Sequence, residues 1–393
     1  LEEISMGSAP LLMIPGPIEV SPAVREAFSV PPPGHLAPRV IEAFGASLEM
    51  MRDAWLAGSD SQPFIVAGGG TVAMDMAAAN LIEPGQRAVV VNTGYFSDRI
   101  AEMLRRQGAE VVEVTATVGG APSPDEVRVA LDETPDVKAL IATHVDTSTA
   151  VRVDPRPLAA LARERGILSI FDGVCATAAE TFDMAGWGAD VYLTASQKAI
   201  GLPPGLALTV ASGRAIETRK TRAAAPPPMY LDWEQWLPIM RAYEERRPSY
   251  FSTPATNLIL ALEVGMREIL AEGIERRFER HRAAADTLRS AWRALGLELV
   301  PASEDLAANT LSALRYPEGV NASLVGKILA HGVIVAGGLH PAIRDEYFRV
   351  GHMGYAVVDT AMLRRTVEAV AASLADSGFA FDSGALDEAL ARL

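Results

Sequence analysis

The sequence predicts an α/β fold in which a mostly parallel sheet is covered by helices, followed by a smaller α+β C-terminal domain. Three observations carry that expectation. Short apolar runs alternate with helix-length segments between residues 63 and 211. The 393 residues, 49% of them apolar and 32 of them glycine, suffice for a large core, exclude extended disorder and favour division into a large and a small domain. After residue 256 the rhythm changes to long helical segments and then two further strands.

Leu11-Leu12-Met13-Ile14-Pro15-Gly16-Pro17 is too broken by Pro and Gly for a long strand and reads as an arm entering a turn, with Ser21-Pro22 opening the next helix. Val40, Phe44, Leu48 and Met51 carry helical spacing. Pro63 to Val66 is the first strand candidate, running through Ala67-Gly68-Gly69-Gly70-Thr71 into a helix rich in Ala and Met. Strands are expected at 87–92, 109–114, 138–143, 167–171, 190–194 and 206–211. From Gly213 to about Leu237 the run Ala-Ala-Ala-Pro-Pro-Pro and two tryptophans break the rhythm, so this stretch reads as an excursion between layers. Long helices follow from Asn257 to about Leu297, then strands within 310–315 and 331–336. The expected division is an arm over 1–22, a large domain over 23–265 and a small domain over 266–393 that includes the connecting helix.

A formal charge of -14 argues against nonspecific nucleic-acid binding and against a basic membrane patch, while leaving room for a local basic site. The one cysteine, Cys175, permits no intrachain disulfide and no cysteine metal cluster. Six scattered histidines without a His-x-x-x-His pair argue against a dedicated metal centre. Neither a secretory leader nor an apolar run of transmembrane length is read in the chain, so the cytoplasm is the expected location.

The most informative residue is Lys198, one of four lysines, where a short apolar strand gives way to Thr194-Ala195-Ser196-Gln197-Lys198 before Gly201 and Pro203-Pro204-Gly205 set a rigid turn. Upstream, Ile167-Leu168-Ser169-Ile170-Phe171 ends in Asp172. A lysine and an acid at the carboxyl ends of two strands suit pyridoxal phosphate, the amine joining the aldehyde and the acid pairing with the ring nitrogen. Gly68-Gly69-Gly70-Thr71 fits an anion site at a helix start or a plain structural turn. Tyr95 or Phe96 could stack on a planar ring or simply pack. Thr143 to Thr149 is densely polar after its strand, which suits ligand contacts or local hydroxyl turns. Arg349, in Arg-Val-Gly-His, is the best carboxylate clamp, a surface salt bridge being the alternative.

Taken together these segments resemble the class V, fold type I pyridoxal phosphate aminotransferases, closest to the alanine or serine glyoxylate group. The most specific pieces are Thr-His-x-Asp-Thr-Ser-Thr at 143–149, Phe-Asp-Gly-Val at 171–174, Ser-Gln-Lys at 196–198 and Tyr-Phe-Ser-Thr-Pro at 250–254. The resemblance implies that Lys198 holds the cofactor covalently and Asp172 pairs with its ring nitrogen. It places Phe96 against the ring, Ser148 near the ring oxygen, and Gly69, Gly70, Thr71 and Gln197 around the phosphate. Tyr250 and Thr253 would come from the neighbouring subunit of a homodimer, and Arg349 would bind the substrate carboxylate. The chain departs from the family pattern at Asp146, where glutamate is frequent, at Ala150, where glycine is common, and at Gly173-Val174-Cys175-Ala176, which replaces Ala-Val-Ser-Ser.

The function this implies is ping-pong transamination from alanine or serine to glyoxylate or pyruvate. Phosphonate amine, pyridoxamine or ureidoglycine donors, a lyase reaction, and a non-catalytic sensor or assembly role are the competing readings. Desulfuration is disfavoured because no cysteine follows Cys175.

Overall fold

The computed structural model describes residues 9–392. Residues 1–8 of the expected arm and Leu393 lie outside them. The remainder of the arm is anchored, because Leu11–Leu12 pairs in parallel with Val333–Ile334 and Leu11 and Met13 enter the apolar core of the C-terminal region. Ser21 caps α1 (Pro22–Phe28) by accepting from the Val24 amide, with Pro22 at the first helical position, where its missing N–H costs nothing. The helix α2 (Pro38–Ala54) buries Val40, Phe44, Leu48 and Met51 along one face.

The central sheet has seven strands: β1 (Gln62–Ala67), β2 (Arg87–Asn92), β3 (Glu110–Thr115), β4 (Val137–Thr143), β5 (Leu168–Asp172), β6 (Val191–Ala195) and β7 (Leu206–Ala211). Their order is β1-β7-β6-β5-β4-β2-β3. Only β7 runs antiparallel, to both its neighbours, so β1 is again parallel to β6 and every other strand end faces one edge. Strands β4, β5 and β6 are buried almost throughout, as expected of strands covered on both faces. The covering helices include α3 (Gly70–Leu81), α4 (Tyr95–Arg106), α5 (Pro124–Glu133) and α6 (Pro155–Glu164).

The stretch expected as an excursion is more regular than its composition suggests. It contains α7 (Gly213–Lys220), a proline-rich link, and α8 (Trp233–Glu244), whose Trp233 and Trp236 are buried in the large core. The tryptophans thus pack within this chain, Trp233 stacking on Phe64 at 5.2 Å between ring centroids. Two long helices follow, α9 (Thr256–Glu272) and α10 (Ile274–Ala294). The large core takes in Met266 and Ile269, beyond the expected boundary at 265, while the C-terminal core begins with Leu288 of α10. The C-terminal region adds an antiparallel sheet, ordered β8-β10-β9, from β8 (Leu311–Arg315), β9 (Ala336–Gly337) and β10 (Tyr347–Gly351), with helices α11 (Ser323–Ala330), α12 (Thr360–Ala375) and α13 (Ser383–Leu390). Among the described residues, no helix is long and apolar enough to cross a membrane.

Candidate active site

The strand order reverses between β2 and β4, and open α/β sheets bind ligands in the crevice beyond the carboxyl ends of strands at such a point. Register aligns the edge: Thr143 pairs with Asp172 and Asp172 with Leu193. A cavity of about 240 Å³ opens there, with Gly70, Thr71, Phe96, Asp172, Gln197 and Lys198 in its lining.

Asp172 is 2% exposed, and one carboxylate oxygen accepts from the Val174 amide at 2.8 Å. Burial is the main cause that pushes its carboxyl up to about 7, reinforced by the nearby Asp146 charge and opposed by the Val174 hydrogen bond and by Lys198 and Arg99. Lys198 is 8% exposed and donates to the Pro15 carbonyl. Burial lowers its ammonium below the ordinary lysine range, aided by Arg349 and opposed by Cys175 and Asp172. A lysine so desolvated gives up its proton easily and becomes a nucleophile or base. Gly16 permits the contact with Pro15: at φ +88°, a Cβ there would meet Lys198 Cδ at 2.6 Å and the Gln197 carbonyl oxygen at 2.9 Å.

Helix α3 starts with Gly69 as its cap and no side-chain hydrogen bond, so its first amides are left for an anion. Gly70 packs against Val174, a Cβ there meeting Val174 Cγ2 at 2.7 Å. Phe96 is fixed from behind by Asp146, whose carboxylate accepts from the amides of Phe96 at 3.0 Å, Ser97 at 3.2 Å and Ser148 at 2.9 Å. Asp146, noted in the sequence only as a departure, is therefore the acid that sets the aromatic wall.

Ser148 does not line the cavity. Its hydroxyl donates to Asp146 at 2.6 Å and accepts from the Tyr95 amide at 3.0 Å. The adjacent Thr147 does line it, and consecutive hydroxyls cannot be told apart without the loop's conformation. Gly69, Tyr250, Thr253 and Arg349 are also absent from the lining; Tyr250 is 58% exposed, with its hydroxyl 3.3 Å from that of Thr253. Arg349 lies on β10 and donates from Nε to the Gly337 carbonyl at 2.9 Å and from Nη1 to the Thr147 carbonyl at 3.0 Å. Among the described residues it forms no ion pair, which sets aside the salt-bridge alternative and leaves Nη2 uncommitted. Burial lowers its pKa from the ordinary arginine value.

Sequence reasoning missed Arg99 and Cys175 on the cavity wall. Arg99 follows Phe96 by one helical turn, donates to the Thr71 hydroxyl at 3.0 Å and sits 4.9 Å over the Phe96 ring; that spacing was a usable signal. The departures at Ala150 and Gly173 acquire physical content. Ala150 adopts φ +60°, where glycine has no steric penalty. Gly173 makes room for Tyr192, since a Cβ would stand 2.3 Å from the ring.

The class-V aminotransferase family model matches residues 37–367. The chain is a class-V aminotransferase. It is 36% identical to alanine–glyoxylate aminotransferase 1 of Saccharomyces cerevisiae, over 88% of this chain and 92% of that protein. Its structure resembles ureidoglycine–glyoxylate aminotransferase of Bacillus subtilis, with a TM-score of 0.90, 25% identity and 98% of each chain covered. It also resembles alanine–glyoxylate aminotransferase of a Nostoc species, with a TM-score of 0.87 and 29% identity over 95% of this chain and 97% of that one. This aminotransferase is thus a fold type I, pyridoxal phosphate-dependent transaminase. Its site fits the cofactor: α3 begins at Gly70 and Thr71 on the cavity lining with no side chain capping its first amides, and Asp172 brings a buried carboxylate to the same cavity.

Proposed function

We propose that this aminotransferase moves an amino group from alanine or serine to glyoxylate or pyruvate, with Lys198 and Asp172 as its catalytic residues. The observation that carries the site assignment is the convergence of a desolvated lysine and a buried acid on one cavity, beside an arginine that forms no ion pair among the described residues. Bound pyridoxal phosphate supplies an aldehyde for the amino group and a ring that accepts the electron pair released at the substrate α carbon. Lys198 takes the proton from that carbon, its lowered pKa favouring the neutral amine. Asp172 keeps a proton on the ring nitrogen by placing negative charge beside it. Phe96 packs on the ring face, and Gly69, Gly70, Thr71 and Gln197 hold the phosphate. The Arg349 guanidinium takes the α carboxylate; it reads a group common to all amino acids, so side-chain preference rests on other contacts. Glyoxylate as acceptor is supported by its place in the names of all three relatives above, and alanine as donor by its place in two of them.

The working unit in this reading is a homodimer with Tyr250 and Thr253 reaching the partner's phosphate, in the cytoplasm. Support comes from an exposed apolar surface. Phe28, Val30, Leu36 and Tyr250 are exposed, His35 lies 5.2 Å from the Tyr250 ring, and Asn257 ties the carbonyls of Phe28 and Val30 beside them. Exposed Met229 and Tyr230 continue toward the phosphate loop, where the Tyr230 hydroxyl donates to the Ala67 carbonyl at 2.7 Å. The chain divides, in the same reading, into the arm, a large cofactor domain and a small C-terminal domain.

Two experiments test these proposals. A donor panel against glyoxylate, pyruvate and 2-oxoglutarate, followed by absorbance in each half-reaction, should show alanine or serine turnover that Lys198→Ala abolishes. Exclusive use of another amine refutes the substrate choice, and normal turnover by Lys198→Ala refutes the catalytic assignment. Mixing inactive Lys198→Ala with inactive Tyr250→Phe/Thr253→Ala chains should restore one site per heterodimer. Verified exchange without recovery refutes the shared site.

A further inference from the structure

We propose that Arg277 is a positioning residue for Lys198, fixing from α10 the separation of the two strand-end loops that carry the lysine and Asp172. The inference rests on the role given to Lys198 above. Arg277 is 6% exposed. Its Nε donates to the Ala178 carbonyl at 2.9 Å and its Nη2 to the Ala199 carbonyl at 2.6 Å. Ala199 follows Lys198 directly, and Ala178 lies in the loop after Asp172, with φ +61°. The planar guanidinium presents its donors in a fixed fork, so it sets the distance between the two oxygens as well as satisfying them. Among the described residues no other donor reaches either carbonyl, and Ala178 and Ala199 are both buried. Loss of the fork leaves two buried acceptors unmatched, which drives the loops to rearrange.

The buried charge is compensated by Glu272, which accepts from Arg277 Nη1 at 3.0 Å and from Arg280 Nε at 2.6 Å. One helical turn further, His281 continues the same face of α10. Its Nδ1 lies 2.7 Å from the Arg277 carbonyl, and its Nε2 accepts from the Gly354 amide at 3.1 Å. Gly354 follows the strand that bears Arg349 and packs close to Ala199, a Cβ there standing 3.6 Å from the Ala199 carbonyl oxygen. One helix face therefore braces the lysine loop and the turn behind the carboxylate arginine. Arg277 does not line the cofactor cavity and acts through the backbone next to Lys198.

The test uses Arg277→Lys and Arg277→Met holoenzymes. Lysine keeps a cation beside Glu272 but cannot span both carbonyls, so it separates charge from bridging and remains informative where Arg277→Met fails to fold. We expect the first half-reaction at saturating donor to slow by about 10- to 100-fold, the scale set by roughly ångström displacement of a reacting group. Donor affinity should change less than about twofold because Arg349 is not displaced. The circular dichroism of bound cofactor should shift as the lysine anchor moves. A folded Arg277→Lys enzyme with wild-type rate and dichroism, altered only in melting temperature, overturns the proposal and leaves Arg277 a purely structural residue. Borohydride reduction and peptide mass measurement on the wild type report separately on the underlying assignment: label on Lys198 upholds it, and label elsewhere removes it whatever the Arg277 variants do.

Discussion

Replacing Asp172 with Asn should stabilise the cofactor-free protein, and increasingly so as pH rises. Burial moves the Asp172 carboxyl from its ordinary 3.8 to about 7. A folded pKa above the unfolded one means that the native state binds more protons between those values, so stability falls with rising pH across that window. At about 1.4 kcal/mol per tenfold change in proton affinity, the full cost above pH 7 is about 4 kcal/mol, of which roughly 3 kcal/mol develops between about pH 5 and pH 8. Asparagine is nearly isosteric, carries no charge to bury, and retains an oxygen for the Val174 amide. Urea unfolding of both apoproteins at about pH 5, 6, 7 and 8 should therefore show the variant's advantage growing by roughly 3 kcal/mol across the series. The difference between proteins cancels the titration of groups remote from Asp172 and keeps that of Asp172 and the Lys198 it faces. A pH-independent difference refutes the buried-acid reasoning. In holoenzyme the role proposed for Asp172 reverses the sign of the functional effect: losing an ionic hydrogen bond to the ring nitrogen, worth about 1.5–3 kcal/mol, should slow the half-reaction by about 10- to 150-fold.

Gly16→Ala should weaken cofactor retention, measured by equilibrium absorbance during dialysis, because a Cβ would meet Lys198 Cδ at 2.6 Å in a left-handed backbone; unchanged retention refutes the close-approach argument. Arg349→Gln should raise the KM for the donor by about 10- to 150-fold, from loss of roughly 1.5–3 kcal/mol of charge-assisted bonding. Steady-state kinetics with alanine and serine check this, and equal KM values contradict the carboxylate assignment. Ala150→Gly should raise stability by about 0.5–1 kcal/mol in denaturant titrations, the relief of φ +60° exceeding glycine's chain-entropy cost; a less stable variant refutes the claim of backbone strain.

Much of this aminotransferase was legible in one dimension. Apolar runs at 87–92 and 206–211 coincide with β2 and β7, and Ser21-Pro22 marks the start of α1, because burial and capping are written in adjacent residues. The alternation also predicted the location of Asp172 and Lys198, since strand ends determine which side chains reach the crevice. The proline-rich link concealed α7 and α8 because the tryptophans that stabilise them pack on Phe64 and other distant residues. Composition alone could not supply those partners.

The sequence by itself determined the covered sheet, its order of strands and helices, and a lysine and an acid poised at strand ends. Tertiary structure decided which of the neighbouring hydroxyls faces the cavity, Thr147 rather than Ser148, because Asp146 and the Tyr95 amide turn the Ser148 hydroxyl away. It also decided that Arg99 stands beside Thr71 and that Arg277, on a helix almost 80 residues beyond the lysine, grips the carbonyl next to it at a sequence separation of 78. The physical reason is range. Periodicity and capping act within a few residues, whereas desolvation, hydrogen-bond partners and steric room depend on chain segments that meet only after folding.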